Sequence, residues 1–198
     1  MRELKNIEEK ILDRALYLIG KNGSSNVPIR AIAKEAQVNV SAINYYFRTK
    51  EEMMKQVQEF YVHNTLEAYS ILDSEEHCDE EKVILCSNEI MEYALRYPGI
   101  LVIQKEAANE KEKSQAASRI IEVTQEMNEK LDKILFDVLK CSEENFVYHR
   151  MIFLSSILHP IINMDTLFFN NDIVNEKVKR LEYIKFVIEK VKNDVNFS

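Results

Sequence analysis

The sequence predicts an all-α fold, and three observations carry that prediction. Punctuation for strands and hairpins is scarce, with only three glycines and three prolines in 198 residues. Leu, Ile, Glu, Lys and Ala fill long unbroken stretches, the composition of good helix formers. Apolar residues also recur at helical spacing along most of the chain. A hydrophobic content of 46% beside 30% charged residues is that of a soluble, core-forming globule.

The elements follow in order. Asn6 caps a first helix, with Glu9 three residues on as in a capping box. Ile7, Ile11, Ala15, Leu18 and Ile19 make its apolar stripe; Lys21 and Gly23 close it, a cation and a glycine where the helix dipole and a left-handed turn favour them. Pro28 suits the first position of a second helix that ends at Ala36 and turns Ile29, Ile32, Ala33 and Ala36 inward. Asn39 caps a third, whose apolar positions are Val40, Ile43, Tyr46 and Phe47. Thr49 and Glu52 form another capping box, opening a fourth helix that runs through Met53, Val57, Phe60 and Tyr61 towards Ile71.

Residues 73–81 are acidic and lack apolar periodicity, so they read as a solvated loop. A fifth helix is expected over 82–97, ended by Pro98-Gly99, and a sixth over 100–109. After a polar turn at 110–114, a seventh over 115–140 carries Ile120, Ile121, Val123, Met127, Leu131, Ile134, Leu135 and Leu139. Ser142 caps an eighth, expected to reach about Phe169; from Met151 its apolar side chains point all round, which implies burial on more than one side. Pro160 inside it predicts a kink. Asn170-Asn171-Asp172 reads as a turn. The last helix then stripes Val174, Val178, Leu181, Ile184, Ile188, Val191 and Val195, making about nine helices.

The net charge of −7 divides unevenly: residues 1–60 hold 10 Lys/Arg against 8 Asp/Glu, and residues 61–198 hold 16 against 25. A mildly basic head on an acidic body suits a small nucleic-acid reader attached to a domain that avoids nucleic acid. No apolar run approaches the roughly 20 residues of a membrane span. The charged start Met1-Arg2-Glu3-Leu4-Lys5 leads into an amphipathic segment rather than a signal peptide. Cys78, Cys86 and Cys141 are an odd number without metal-like spacing and read as reduced thiols, so the cytoplasm is expected. Glycine-rich phosphate loops, nucleophile elbows and helical di-metal motifs are missing, and His63, His77, His149 and His159 lack ligand spacing. Neither catalytic residues nor a metal or cofactor are expected.

Two short helices joined by Gln37-Val38 have the layout of a helix-turn-helix. Periodicity alone equally allows a plain helical hairpin. Small or polar residues at Ser41, Ala42 and Asn44 let the second helix lie deep in a major groove. The run I-A-K-E-A-Q-V-N-V-S-A-I-N-Y-Y-F-R-T-K-E-E-M over residues 32–53 resembles the TetR family of regulators, and the likeness covers about residues 5–60. Turn, aromatic pair and Lys-Glu-Glu fall in consistent register.

That resemblance implies a DNA-binding domain over residues 1–50 and a helical ligand-binding and dimerisation domain over 51–198. It implies base-facing Val40, Ser41 and Asn44, with Asn39 at the start of the same helix; Asn44 has the donor and acceptor for a bidentate adenine contact, and Val40 the methyls to meet thymine. It implies Arg30 reaching DNA, Tyr45 touching the backbone with its polar tip, Tyr46 partly a packing residue, and Lys50 on a phosphate. The implied partners are double-stranded operator DNA, a second copy of the chain through the last two long helices, and a small-molecule effector. The expected function is a repressor binding a palindromic operator. Residues that suit the effector pocket are Tyr93, Tyr97, Gln104, Met127, His149, Phe153, Ser156 and His159, although such side chains at helical spacing equally suit a core. Gln37 departs from the family's glycine, and Val27-Pro28 from its hydroxyl pair. The rival reading is a helical ligand-binding or scaffolding protein that reads no DNA sequence.

Overall fold

Among the described residues of the computed structural model, which are Leu4, 6–98, 100–164 and 171–192, every regular element is helical. In chain order these are α1 (Ile7–Asn22), α2 (Ile29–Ala36), α3 (Val40–Phe47) and α4 (Lys50–Tyr69), the last continuing into a 3₁₀ turn, Ser70–Asp73. Then come α5 (Asp79–Arg96), α6 (Ile100–Glu110), α7 (Gln115–Leu139), α8 (Glu143–Ile162), the short α9 (Asn171–Asn175) and α10 (Lys177–Val191). None of the described helices is long and apolar enough to cross a membrane. Two compact units divide the chain: Met1–Leu66 with Arg96–Gln125, and Glu67–Leu95 with Glu126–Ser198.

In the first unit, Asn6 caps α1 as its sequence predicts, its side-chain oxygen accepting the Glu9 N–H at 2.9 Å. Both α1 and α2 end in the same paired hydrogen-bond motif. At the end of α1, Gly23 lies at φ 66°, and its N–H and that of Ser24 reach back to the Gly20 and Ile19 carbonyls. At the end of α2, Gln37 takes the equivalent position at φ 56°, with its N–H on Lys34 and that of Val38 on Ala33. Glycine does this at no steric cost; a residue with a Cβ is strained there by roughly 1–2 kcal/mol. Ile11, Leu16 and Ile19 of α1, Ile32 and Ala36 of α2, Ile43 and Phe47 of α3, and Met53 and Val57 of α4 are fully buried. Ile7, which the stripe placed inward, is half exposed in the first turn of α1.

The same core encloses a charge. Asp13 on α1 has no exposed surface and sits between two guanidinium groups. Arg14 Nε donates to its Oδ2 at 2.7 Å, Arg96 pairs with its Oδ1, and the Tyr97 hydroxyl donates to Oδ1 at 2.6 Å. Two further bonds join α6 to the N-terminal segment: Gln104 Nε2 donates to the Tyr61 hydroxyl of α4 (2.8 Å), and the Ser25 N–H of the α1–α2 loop to Glu106 Oε1 (3.2 Å). Burial pushes the Tyr61 phenol above its ordinary range, against the opposing pull of Gln104.

The second unit packs Leu72, Val83, Met91, Leu131, Leu135, Phe153, Ile157, Ile184 and Ile188 into one core. Burial raises the Cys86 thiol there to about 12, so it stays protonated. All three cysteines are free thiols. Arg180 on α10, 3% exposed, ties three helices together. Its guanidinium donates to Asn88 Oδ1 on α5 at 3.2 Å, pairs with Glu92, and satisfies the Val174 and Asn175 carbonyls at the end of α9. Pro160 lies inside α8 and has no N–H for the Ser156 carbonyl four residues earlier. The Tyr183 hydroxyl of α10 donates to that carbonyl instead, at 2.8 Å.

Three boundaries differ from the sequence reading, one of them in the last helix, expected to be continuous from Val174 but broken at Glu176 into α9 and α10. Helix α5 begins at Asp79, inside the stretch read as loop: Asp79, Glu80 and Glu81 form its first turn, where the helix dipole favours anions. Glu81 accepts the Cys78 N–H at 3.0 Å, which holds its carboxyl below the usual range. Asn171 and Asp172, read as turn, begin the short α9. The expected end of the eighth helix at Phe169, Asn170 of that turn, Val195, Gly99 and the charged residues 1–3 and 5 lie outside the described residues.

Two stability outcomes follow. Gln37→Gly should relieve the left-handed strain, raising stability by about 1 kcal/mol net of chain entropy and the melting temperature by roughly 2–4 °C in calorimetry. Tyr183→Phe should cost about 1–2 kcal/mol in urea unfolding by orphaning the Ser156 carbonyl. In a Pro160→Ala background, where residue 160 regains its N–H, that loss should shrink to a few tenths of a kcal/mol; an undiminished loss contradicts the compensation.

Candidate nucleic-acid interface

Helix α3 is short, firmly started, and bare on one side. Asn39 occupies its N-cap, with Oδ1 accepting the Ala42 N–H at 2.7 Å and the Ser41 hydroxyl at 2.9 Å. Ile43 and Phe47 bury the opposite face against α1 and α2. That leaves Asn39, Val40, Ser41, Asn44 and Tyr45 exposed in one band, with Arg30 exposed on α2. Val40 is 38% and Tyr45 81% exposed. Tyr46 is half-buried; its ring meets Tyr45 edge-to-face at 5.3 Å and Phe47 at 6.2 Å. The exposed Tyr45 thus stands on a ring seated against the core.

Helix α4 opens beside this band. Thr49 Oγ1 accepts the Glu52 N–H at 3.1 Å, the cap its sequence predicts. Lys50 is half-buried, and its Nζ donates to Asn26 Oδ1 at 3.1 Å. Together with Ser25, Glu51, Met54, Lys55 and Gln58 these two residues line an open surface cleft of about 390 Å³. The sequence reading does not reach Asn26 or Lys55. Asn26 is one polar residue in a loop, 24 positions from the lysine it holds.

The residues suited to an effector pocket fall in two groups. In the first unit, the Tyr97 hydroxyl is engaged by Asp13 and the Gln104 amide by Tyr61. In the second, Tyr93 and Phe153 are buried, Phe153 within the main core. His149 is buried with Nδ1 donating to the Val191 carbonyl at 2.5 Å. Ser156 donates to the Ile152 carbonyl at 2.7 Å, Met127 is half-buried, and His159 is exposed near the end of α8.

With that geometry in hand, the likenesses to known proteins fall into place. Residues 11–57 match the family model described as bacterial regulatory proteins, tetR family. Over 55 residues the chain is 44% identical to the probable HTH-type transcriptional regulator YttP of Bacillus subtilis, a match spanning 27% of each protein. Over nearly full length the fold resembles a TetR transcriptional regulator from Legionella pneumophila (TM-score 0.62, 15% identity, 96% of this chain and 100% of that one). It also resembles a TetR-like transcriptional regulator from Rhodococcus sp. RHA1 (TM-score 0.56, 12% identity, 93% and 98%). At such identities these structures speak for the fold alone, and the N-terminal match carries the kinship. The matched segment contains α2, α3 and the start of α4, the elements that make the exposed band, so the likeness to the tetR family of bacterial regulatory proteins falls on that band and spans residues 11–57.

Proposed function

We propose that the protein is a transcriptional repressor that reads a palindromic operator as a homodimer and releases it on binding a small molecule. The observation that carries the DNA-reading part is the exposed face of α3: a capped, core-anchored helix presenting Val40, Ser41, Asn44 and Tyr45 to solvent. The Asn44 side chain hydrogen-bonds to no described residue, so its amide keeps the full donor and acceptor capacity that an adenine edge needs. Val40 offers methyl groups to thymine. Ser41 contributes from the first turn, and the Asn39 amide, whose oxygen caps the helix, keeps its N–H donors for the DNA backbone. Arg30, Tyr45 and Lys50 fix register through phosphates, and Tyr46 supports them from behind. On this reading residues 1–50 form the DNA-binding domain and 51–198 the ligand-binding and dimerisation domain.

Dimerisation is supported by apolar surface on the last long helices. Val147, Tyr148, Met151 and Ile152 lie on one face of α8, about half exposed or more, and α10 exposes Val178 and Phe186. These are large side chains in helical register, the pattern of a patch awaiting a copy of itself. A two-fold arrangement would set two α3 helices one turn of DNA apart or slightly more, whence the palindrome. Effector release follows the family habit, with Tyr93, Tyr97, Gln104, Met127, His149, Phe153, Ser156 and His159 as the residues to probe.

Selection from a random duplex library should enrich a palindrome. Asn44→Ala should relax preference at one position per half-site at a cost of about 1–3 kcal/mol, while Lys50→Ala should weaken all sequences alike and flatten the salt dependence. A library that enriches nothing would favour the scaffolding alternative. Met151→Glu with Phe186→Glu should convert the dimer to a monomer in sedimentation analysis; an unchanged sedimentation coefficient would place the interface elsewhere.

A further inference from the structure

The loop between α1 and α2 is fixed on both sides of Asn26. Before it, the Ser25 N–H donates to Glu106 Oε1 of α6 at 3.2 Å. After it, Val27 is fully buried in the core, and its N–H reaches the Ser25 carbonyl at 2.8 Å. The Asn26 N–H itself is taken by Ser24 Oγ at 3.1 Å. Asn26 thus has a backbone with little freedom and a side chain that is exposed yet directed onto one group, the Lys50 ammonium.

A lysine free in solvent samples many rotamers, and holding it costs side-chain entropy. A partner that restricts it beforehand lowers that cost at the moment of binding. The chemistry of the partner matters as much. A carboxylate would hold Lys50 and offset its charge; the amide oxygen of Asn26 holds it and leaves the charge whole. One of the three ammonium protons is used, and two remain for an anion.

We propose that Asn26 is a positioning residue for Lys50, presetting the ammonium for a DNA phosphate, and that Glu106 sets Asn26 by clamping its loop from α6. This rests on the reading of Lys50 as a phosphate contact. It gives α6 a direct line of hydrogen bonds to the DNA-facing surface: carboxylate to loop backbone, loop side chain to lysine.

The test uses the full-length protein and the duplex recovered by library selection, with dissociation constants measured across a salt series. Lys50→Ala should weaken binding about tenfold and lower the salt slope by about one per half-site. Asn26→Ala should weaken it roughly three- to fivefold, yet add nothing in a Lys50→Ala background, because a positioning residue acts only through the group it positions. An additive double variant, or an inert Asn26→Ala, overturns the positioning role. Glu106→Ala should reproduce the Asn26→Ala loss without adding to it, whereas Glu106→Gln, which retains an acceptor oxygen, should preserve most of the affinity. An unchanged affinity in Glu106→Ala overturns the α6 clamp. An inert Lys50→Ala in a protein that still selects its duplex removes the phosphate reading itself. Thermal melts within about 2 °C of the parent for Asn26→Ala separate these effects from loss of folding.

Discussion

The carboxylate of Asp13 is fully buried, and the groups that surround it determine which parts of the chain fold together. A charge without water is tolerated only when paired and hydrogen-bonded, and removing one partner of such a pair costs on the order of 3–5 kcal/mol. Arg14 comes from the neighbouring position on α1, but Arg96 and Tyr97 come from more than 80 residues away. Both guanidinium groups also stand near aromatic rings, Arg14 over Tyr17 at 5.1 Å and Arg96 over Tyr97 at 5.5 Å. The segment that starts at Arg96 is thereby committed to the N-terminal helices. This is why the first unit takes in Arg96–Gln125 and does not stop after α3 or α4. With that segment comes α6, and with α6 come Gln104 on Tyr61 and Glu106 on the loop that carries Asn26.

Local chemistry was legible in the sequence, and remote pairing was not. The caps at Asn6, Asn39 and Thr49 are readable because a side chain and its backbone partner lie three residues apart; each forms where the sequence places it. The helix-turn-helix was legible for the same reason, since its turn, stripes and register all lie within some twenty residues. Gln37 was legible even as a departure: a residue other than glycine in that turn must adopt positive φ, and it does. Asp13 gives no such signal. It sits between Leu12 and Arg14, where an acidic residue reads as part of a solvated face, and nothing nearby in sequence announces Arg96. The acidic stretch before α5 misled for a related reason, because anions that cap a helix look like anions that solvate a loop.

Arg180 and Tyr183 show the same limit in the second unit. A lone arginine or tyrosine on the last helix reads as surface or generic core. Their functions depend on what other elements leave unsatisfied: carbonyls at the end of α9, a carboxylate on α5, and the carbonyl that Pro160 frees in α8. The need could be read in part, since a proline within a helix always orphans a carbonyl. The supplier could not, because it is fixed by how α10 packs on α8 and not by any spacing in the sequence.

The candidate interface is distinguished by which hydrogen-bonding groups are already engaged. Elsewhere in the first unit, polar side chains that matter to the fold have partners: Asp13, Tyr61, Tyr97, Gln104 and Glu106. On the exposed face of α3 the division runs differently. Asn39 spends its oxygen on starting α3, and the Ser41 hydroxyl is directed to Asn39. The side chains of Arg30 and Asn44, by contrast, bond to no described residue while standing on helices whose opposite faces are locked into the core. Lys50 lies between these cases, held by a neutral oxygen that leaves its charge intact. A surface with rigid backing and unspent donors and acceptors binds a polar partner without first having to order itself. Base edges and phosphates are partners of that kind, and the mildly basic balance of residues 1–60 favours the approach of a polyanionic backbone.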